Sequence, residues 1–285
     1  DVVSDEVDFG NRLDEVFARF GHLCVGIDPH PYLFERWGFD DSPRTLREFS
    51  LRVLDACVGR VGIIKPQVAF YERWGAKGFA ALEDLIAGAR AAGVLVIADA
   101  KRGDIGSTMQ AYAHSWLSSG SPLESDAVTV SPYLGLGALD ETMTIARSNA
   151  KGVFVLAATS NPEAVGIQTS VLTRGDDAGL ALARTMVERV NTMNHQSGST
   201  TGGVVIGATV SLEDYNIESQ KLVGLPVLAP GFGFQGAEPR DARHLFGELT
   251  QRLIVTETRS ILESGPEAIV ETVTRRSQLV AEALA

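Results

Sequence analysis

Asp99, Lys101 and Asp104 stand together at the end of an apolar run, in the segment VLVIADAKRGDIGST at residues 94–108. Two carboxylates within reach of one ammonium keep it charged and fix its position. Such an array suits an enzyme that must deliver a proton without a cofactor. The apolar half reads as a buried parallel strand. The charges then fall at its C-terminal mouth, where parallel α/β folds build their active sites. The same spacing also fits a solvated loop in which Asp104 caps a helix from about Ile105 to Ser119. Companion residues elsewhere weigh against the loop.

Asp28 follows the apolar run LCVGI and precedes Pro29. It reads either as a turn-forming Asp-Pro or as a carboxylate that accepts sugar hydroxyls. Lys65 follows VGII and also precedes a proline. A buried ammonium is costly unless paired, and Asp28 and Asp99 are its natural partners. Thr159, Ser160 and Asn161 close another apolar run. They suit the polar edge of a heterocycle, or simply a strand exit. Further on, PGFGFQG spans Pro230 to Gly236. Its glycines, Gly233 among them, let backbone amides converge on an anion, and Gln235 adds a donor. Arg259 and Ser260 follow the last apolar run, and arginine grips phosphate oxygens in pairs. The five histidines have no metal-ligand spacing, so no metal is expected. No GxSxG elbow is present for hydrolase chemistry.

The elements that must position these residues repeat. Apolar runs of strand type occupy Leu23–Asp28, Val61–Lys65, Val94–Asp99, Asp126–Ser131, Gly152–Ala158, Gly203–Gly207, Pro226–Ala229 and Leu253–Glu257. Helical periodicity marks Phe9–Phe20, Pro43–Val58, Glu72–Ala92, Gly106–Ser119, Gly137–Ser148, Asp177–Asn194 and Pro266–Leu284. Strands alternating with helices imply right-handed parallel crossovers. Eight of them predict an α/β protein, a closed (β/α)8 TIM barrel over residues 1–285 as a single domain, with an N-terminal helix before the first strand. A doubly wound open sheet would carry a GxGxxG turn after its first strand, and GIDPHPYL has none. The polar tract QSGSTTGG reads as an exposed loop. In the barrel, the glycine-rich turn and Arg259 fall after strands seven and eight, where such folds recurrently bind phosphate.

The net charge of −11 over 285 residues argues against nucleic acid as a partner. It also means that an anionic substrate must be held by local cations and backbone amides. No apolar run reaches membrane-spanning length, and the acidic N-terminus has no apolar signal core. Its first residue is Asp rather than Met, so processing or trimming is expected. Cys24 and Cys57 lie in no CxxC or ligand spacing and are expected to be buried reduced thiols of a cytoplasmic protein.

VIADAKRGDIGST, Lys65 one strand earlier, PGFGFQG and TRSI together resemble the orotidine 5′-phosphate decarboxylase family. CVGIDPH, KPQVAFYERWG and LAATSNPEA resemble its longer bacterial branch. The resemblance covers nearly the whole chain. It implies a (β/α)8 homodimer that converts orotidine monophosphate to uridine monophosphate and carbon dioxide, in de novo pyrimidine biosynthesis, without metal or organic cofactor. Carried over, Lys101 donates the proton and Asp99 lies against the departing carboxylate, while Lys65 and Asp28 contact the ribose and complete the charge array. Asp104 reaches into the partner's site, lined also by Ile105 and Thr108. Ser160 binds the pyrimidine, and Gln235 and Arg259 hold the phosphate, with Pro230, Gly233 and Ser260 in the same binding region. Thr258 stands where the shorter branch has glycine, so the arginine's approach is expected to differ. Two alternatives are a magnesium-dependent sugar-phosphate decarboxylase on the same scaffold and a non-catalytic nucleotide sensor. Lys65, in place of the former's metal-binding acid, counts against the first; the intact charge array counts against the second.

Overall fold

Eight parallel strands close on one another in chain order: β1 (Leu23–Ile27), β2 (Ile63–Pro66), β3 (Leu95–Arg102), β4 (Ala127–Val130), β5 (Gly152–Ala158), β6 (Gly202–Ile206), β7 (Val227–Pro230) and β8 (Leu253–Glu257). β1 pairs with both β2 and β8, which completes the (β/α)8 barrel. The structure is a computed structural model that describes residues 7–285; most of the acidic N-terminal stretch, residues 1–6, lies outside it. The strands are buried on both faces, which is why they read as unbroken apolar runs.

Two cores result. Inside the barrel pack Cys24, Ile63, Ile97, Phe154, Leu228 and Ile254 with their neighbours. The helix α1 (Phe9–Phe20) plugs the N-terminal end, with Phe9, Leu13 and Phe17 in that same interior cluster. Phe9 meets Phe154 edge-on at 5.9 Å between centroids. A side chain at Gly152 would overlap the Phe9 ring, so β5 must begin with glycine. The Asp8 carboxylate caps α1 by accepting from the Asn11 amide at 2.8 Å. The outer core lies between strands and helices. Both cysteines are free and buried, and burial pushes the Cys24 thiol up to about 12.

The helices depart from the expected pattern at several points. A short α2 (Pro31–Arg36) precedes α3 (Pro43–Cys57) and is too brief to show a period. The helix expected over Glu72–Ala92 starts at Gly75 instead, as α5 (Gly75–Ala91), with a short α4 (Ala69–Glu72) ahead of it and Gly75 at φ +57° where the two meet. Next come α6 (Gly106–Leu117), α7 (Asp140–Ser148) and the short α8 (Val165–Gln168). Next, α9 (Leu182–Ser197) starts later than expected, since Val171 and Ala181 are bridged as an antiparallel pair ahead of it. The crossover from β6 to β7 carries one 3-10 turn, Ser219–Lys221, and no α-helix; that from β7 to β8 carries the short α10 (Ala242–Phe246). Two helices close the chain, α11 (Arg259–Leu262) and α12 (Ile269–Leu284). Among the described residues no helix is long and apolar enough to cross a membrane.

Candidate active site

The C-terminal strand ends converge on a cavity of about 210 Å³. β1, β2 and β3 bring Asp28, Lys65, Asp99 and Lys101 to one wall; β7 and β8 bring Pro230, Gln235 and Arg259 to the other. Three cations face two carboxylates, so the cavity is locally positive in a chain of net charge −11.

Asp99 is the centre of the first wall. One carboxylate oxygen, Oδ1, accepts from Lys101 Nζ at 2.6 Å and from Thr129 Oγ1 at 2.9 Å. The other, Oδ2, accepts from Lys65 Nζ at 2.9 Å and from Gln67 Nε2 at 3.2 Å. Burial alone would raise the Asp99 pKa, but the two ammonium groups and their hydrogen bonds outweigh it and hold the carboxyl well below its ordinary range. Burial likewise works against the Lys65 ammonium, and Asp99 and Asp28 overcome it, so its pKa stands above the usual lysine value. Asp28 differs. Burial drives its pKa up, with Asp99 adding to the effect and Lys65 opposing it. Its Oδ1 is sealed from solvent with no hydrogen-bond partner among the described residues. A buried acceptor without a donor is uncommon in a folded protein, and this one belongs to a residue of the cavity wall. Lys101, with 46 % of its side chain exposed, turns from the array into the cavity.

The array has a pH signature. Asp99 titrates lower when folded than its unfolded value of 3.8, so its contribution to stability is present above that value and fades as pH falls below it. Lys65, raised when folded, contributes at every pH below 10.5. The urea-midpoint difference between the wild type and Asp99→Asn is therefore expected to stay level from pH 7 to about 5 and to shrink below pH 4. A gap that widens towards acid would overturn this reading.

β3 is longer than expected and runs through Arg102, with its register to β4 broken between Ala98 and Arg102. Asp99 and Lys101 lie within that break, and their side chains meet directly. Asp104 is not the helix cap: Ile105 holds that position, and Asp104 Oδ1 accepts from the Ile105 amide at 2.7 Å. The cap falls one residue later because this local turn already uses the carboxylate. Asp104, Ile105 and Thr108 all lie outside the cavity of their own chain, and Ile105 is 61 % exposed.

At the second wall, Gln235 folds back over Gly231, where a Cβ would come within 2.9 Å of its Oε1. The Arg259 guanidinium lies 5.0 Å from the Phe234 ring centroid. Gly233 and Ser260 stand behind the lining: a Cβ at Gly233 would fall 2.6 Å from Ser260 Oγ. Ser260 Oγ donates to Glu257 Oε2 at 2.9 Å, and Arg276 of α12 donates to both Glu257 oxygens at 2.6 and 2.7 Å. This ion pair, with Glu257 fully buried and Arg276 partly so, anchors the turn that carries Arg259. Thr258 lies over Gly26 of β1, where an added Cβ would overlap its Oγ1.

Ser160 is exposed, lies outside the cavity and sits against Gly207, whose Cβ would come 3.1 Å from its own. Its neighbours are spent locally: Thr159 Oγ1 donates to Asn161 at 2.7 Å and accepts from Gln168 at 2.9 Å. Gln67, Thr129 and Thr256 belong to the site or its support though no feature of the sequence marks them, and Phe234 of the glycine-rich turn and Thr258 line it as well. A larger open cleft, about 690 Å³, lies between the β6–β7 segment and the α10 region, with Arg184 of α9 on its wall. Its Arg184 is already paired with Glu218 at 2.8 Å, and none of the strand-end lysines reaches it.

Fold and site together define a class: a (β/α)8 enzyme whose mouth carries an arginine and a glycine-rich turn on one side and a lysine-carboxylate array on the other. Within that class the chain belongs to the orotidine 5′-phosphate decarboxylase / HUMPS family, whose model matches residues 21–272. It is 46 % identical over 264 residues to an orotidine 5′-phosphate decarboxylase of Salinispora tropica, covering 92 % of each chain. It is also 46 % identical over 263 residues to that of Streptomyces coelicolor, covering 91 % of each. A solved structure from Streptomyces avermitilis has a TM-score of 0.89 at 42 % identity, covering 97 % of this chain and 96 % of that one. The OMP decarboxylase of Leishmania donovani has a TM-score of 0.75 at 28 % identity, covering 98 % and 99 %.

Proposed function

We propose that the chain decarboxylates orotidine 5′-monophosphate to uridine 5′-monophosphate and carbon dioxide, the carboxy-lyase step of de novo pyrimidine biosynthesis. Membership of the family and relatives of that name support the reaction. The single observation that carries the chemistry is the Lys65–Asp99–Lys101 array facing Arg259 across one cavity. When the bond to the carboxylate breaks, its electron pair stays on the pyrimidine carbon. The Lys101 ammonium stabilises that pair electrostatically and then transfers its proton to the same carbon, leaving a neutral amine. Asp99 lies against the departing carboxylate, Asp28 and Lys65 accept and donate at the ribose, and Gln235 and Arg259 hold the phosphate. Ser160 takes the pyrimidine edge, which requires the β5 exit to turn inward on binding. Phosphate binding away from the reacting carbon contributes to catalysis through loop closure.

Lys65 favours this reading over a magnesium-dependent sugar-phosphate decarboxylase, because an ammonium paired to Asp99 occupies the second strand end. A spectrophotometric assay with orotidine monophosphate tests it. Turnover undiminished by a chelator is expected; no turnover, or turnover abolished by the chelator, overturns the proposal.

The same reading makes residues 1–285 one cytoplasmic barrel domain acting as a homodimer, in which Asp104, Ile105 and Thr108 complete the partner's site. Their position outside their own cavity supports it, as does the exposed apolar surface of Ile105, Tyr133 and Leu134 at neighbouring strand exits.

Arg259→Ala is expected to weaken orotidine monophosphate by roughly 1.5–3 kcal/mol in kcat/KM, the range of a lost charge-assisted contact. Orotidine, which lacks the phosphate, should be a poor substrate for wild type and variant alike. Equal losses on both substrates would show that Arg259 is not the phosphate ligand.

A further inference from the structure

We propose that Thr129 of β4 is a positioning residue that aims the Lys101 ammonium. The proposal rests on the decarboxylase reading above. Thr129 is 1 % exposed and shares the inward face of β4 with Ala127, in a barrel interior that is otherwise almost wholly apolar. A hydroxyl there must be satisfied. It donates to Asp99 Oδ1 at 2.9 Å and accepts from the backbone amide of Lys101 at 3.0 Å.

Those two bonds fix both ends of the proton donor. Asp99 Oδ1 is the oxygen that receives the Lys101 ammonium, so Thr129 orients the carboxylate that orients the amine. The Lys101 amide lies inside the register break of β3, where the ladder to β4 is interrupted until Ser131 donates to the Arg102 carbonyl at 2.8 Å. The Thr129 side chain thus takes the place of a backbone partner. Lys101 itself sits at φ +49°, a left-handed conformation that costs a residue with a Cβ about 1–2 kcal/mol. Strain of that kind persists only where the surroundings over-determine it. The Thr129 hydroxyl is the bond that holds this peptide, and the peptide sets the direction in which the lysine leaves the strand. The strain is retained because it turns Lys101 into the cavity.

Thr129→Val removes the hydroxyl and keeps the shape; Thr129→Ser keeps the hydroxyl. With orotidine monophosphate, the valine variant is expected to lose about 10- to 100-fold in kcat, the cost of misplacing a reacting group by about an ångström. KM should change less than about threefold, because phosphate recognition lies on the opposite wall. The serine variant should stay within about threefold of wild-type kcat. If the valine variant does not fold, Thr129→Ala is read in the same way. A hydroxyl-free variant that keeps wild-type kcat overturns the proposal, and so does an equal loss in the serine and hydroxyl-free variants. If wild type itself does not turn over orotidine monophosphate, the decarboxylase reading fails. Thr129 is then judged by crystal structures of wild type and Thr129→Val: an unmoved Lys101 backbone and amine would overturn its role.

Discussion

Lys101→Ala abolishes decarboxylation and leaves the barrel folded: that is the expected result. The variant removes the proton donor and the cation that stabilises the developing carbanion in one step. Proton donation contributes about 10²–10⁴-fold and preorganised electrostatics about another 10²–10³, so a loss of roughly 10⁴-fold or more is expected in kcat. The fold survives because the side chain is 46 % exposed and Asp99 keeps Lys65, Gln67 and Thr129 as donors. Loss of the bulky side chain at φ +49° also relieves little, since alanine carries the same Cβ. The check is single-turnover kinetics beside a circular-dichroism melt. A folded variant that keeps more than a small fraction of wild-type turnover removes Lys101 from the reaction.

Mixing two dead chains should restore activity. If Asp104 serves the partner's site, Lys101→Ala and Asp104→Ala homodimers are each nearly inactive. A mixed dimer has one doubly damaged site and one intact site. Random re-association at equal amounts makes half the dimers mixed, so activity should approach roughly a quarter of wild type, by the statistics of an isologous pair. Subunits are exchanged by joint refolding or co-expression and followed by mass spectrometry. No recovery with proven exchange means that Asp104 acts within its own chain or that the protein is not this kind of dimer.

The barrel was legible because its strands are buried on both faces and most of them end abruptly in charge or proline. β5 and β8 have the bounds that their apolar runs imply. Lys65 and Asp99 stood out for the same reason: a charge straight after a buried run must find a partner, and these two find each other. Glu257 carried that same cue at the end of LIVTE and was passed over, because its partner Arg276 lies nineteen residues on in a helix with no local mark. Thr129 was invisible for a different reason. A threonine in a strand is ordinary by propensity, and only the register break beside it gives its hydroxyl two ends to hold. The alternative reading of Asp104 as a cap arose because aspartate favours caps and tight turns alike, and Ile105 holds that position. Eight strand–helix units were expected, and the sixth crossover departs from them: it carries a 3-10 turn and no α-helix.

Thr258 and Gly26 have a consequence for how this chain can be changed. Each position taken alone looks free: a threonine at a strand exit, a glycine in a strand. Because the Thr258 hydroxyl occupies the volume that any side chain at Gly26 would need, the two positions are coupled. Gly26→Ala alone should cost more stability than the same change made beside Thr258→Gly, which vacates that volume. The exit of the last strand thus limits what the first strand can carry, and ties the turn bearing Arg259 to the strand that leads to Asp28.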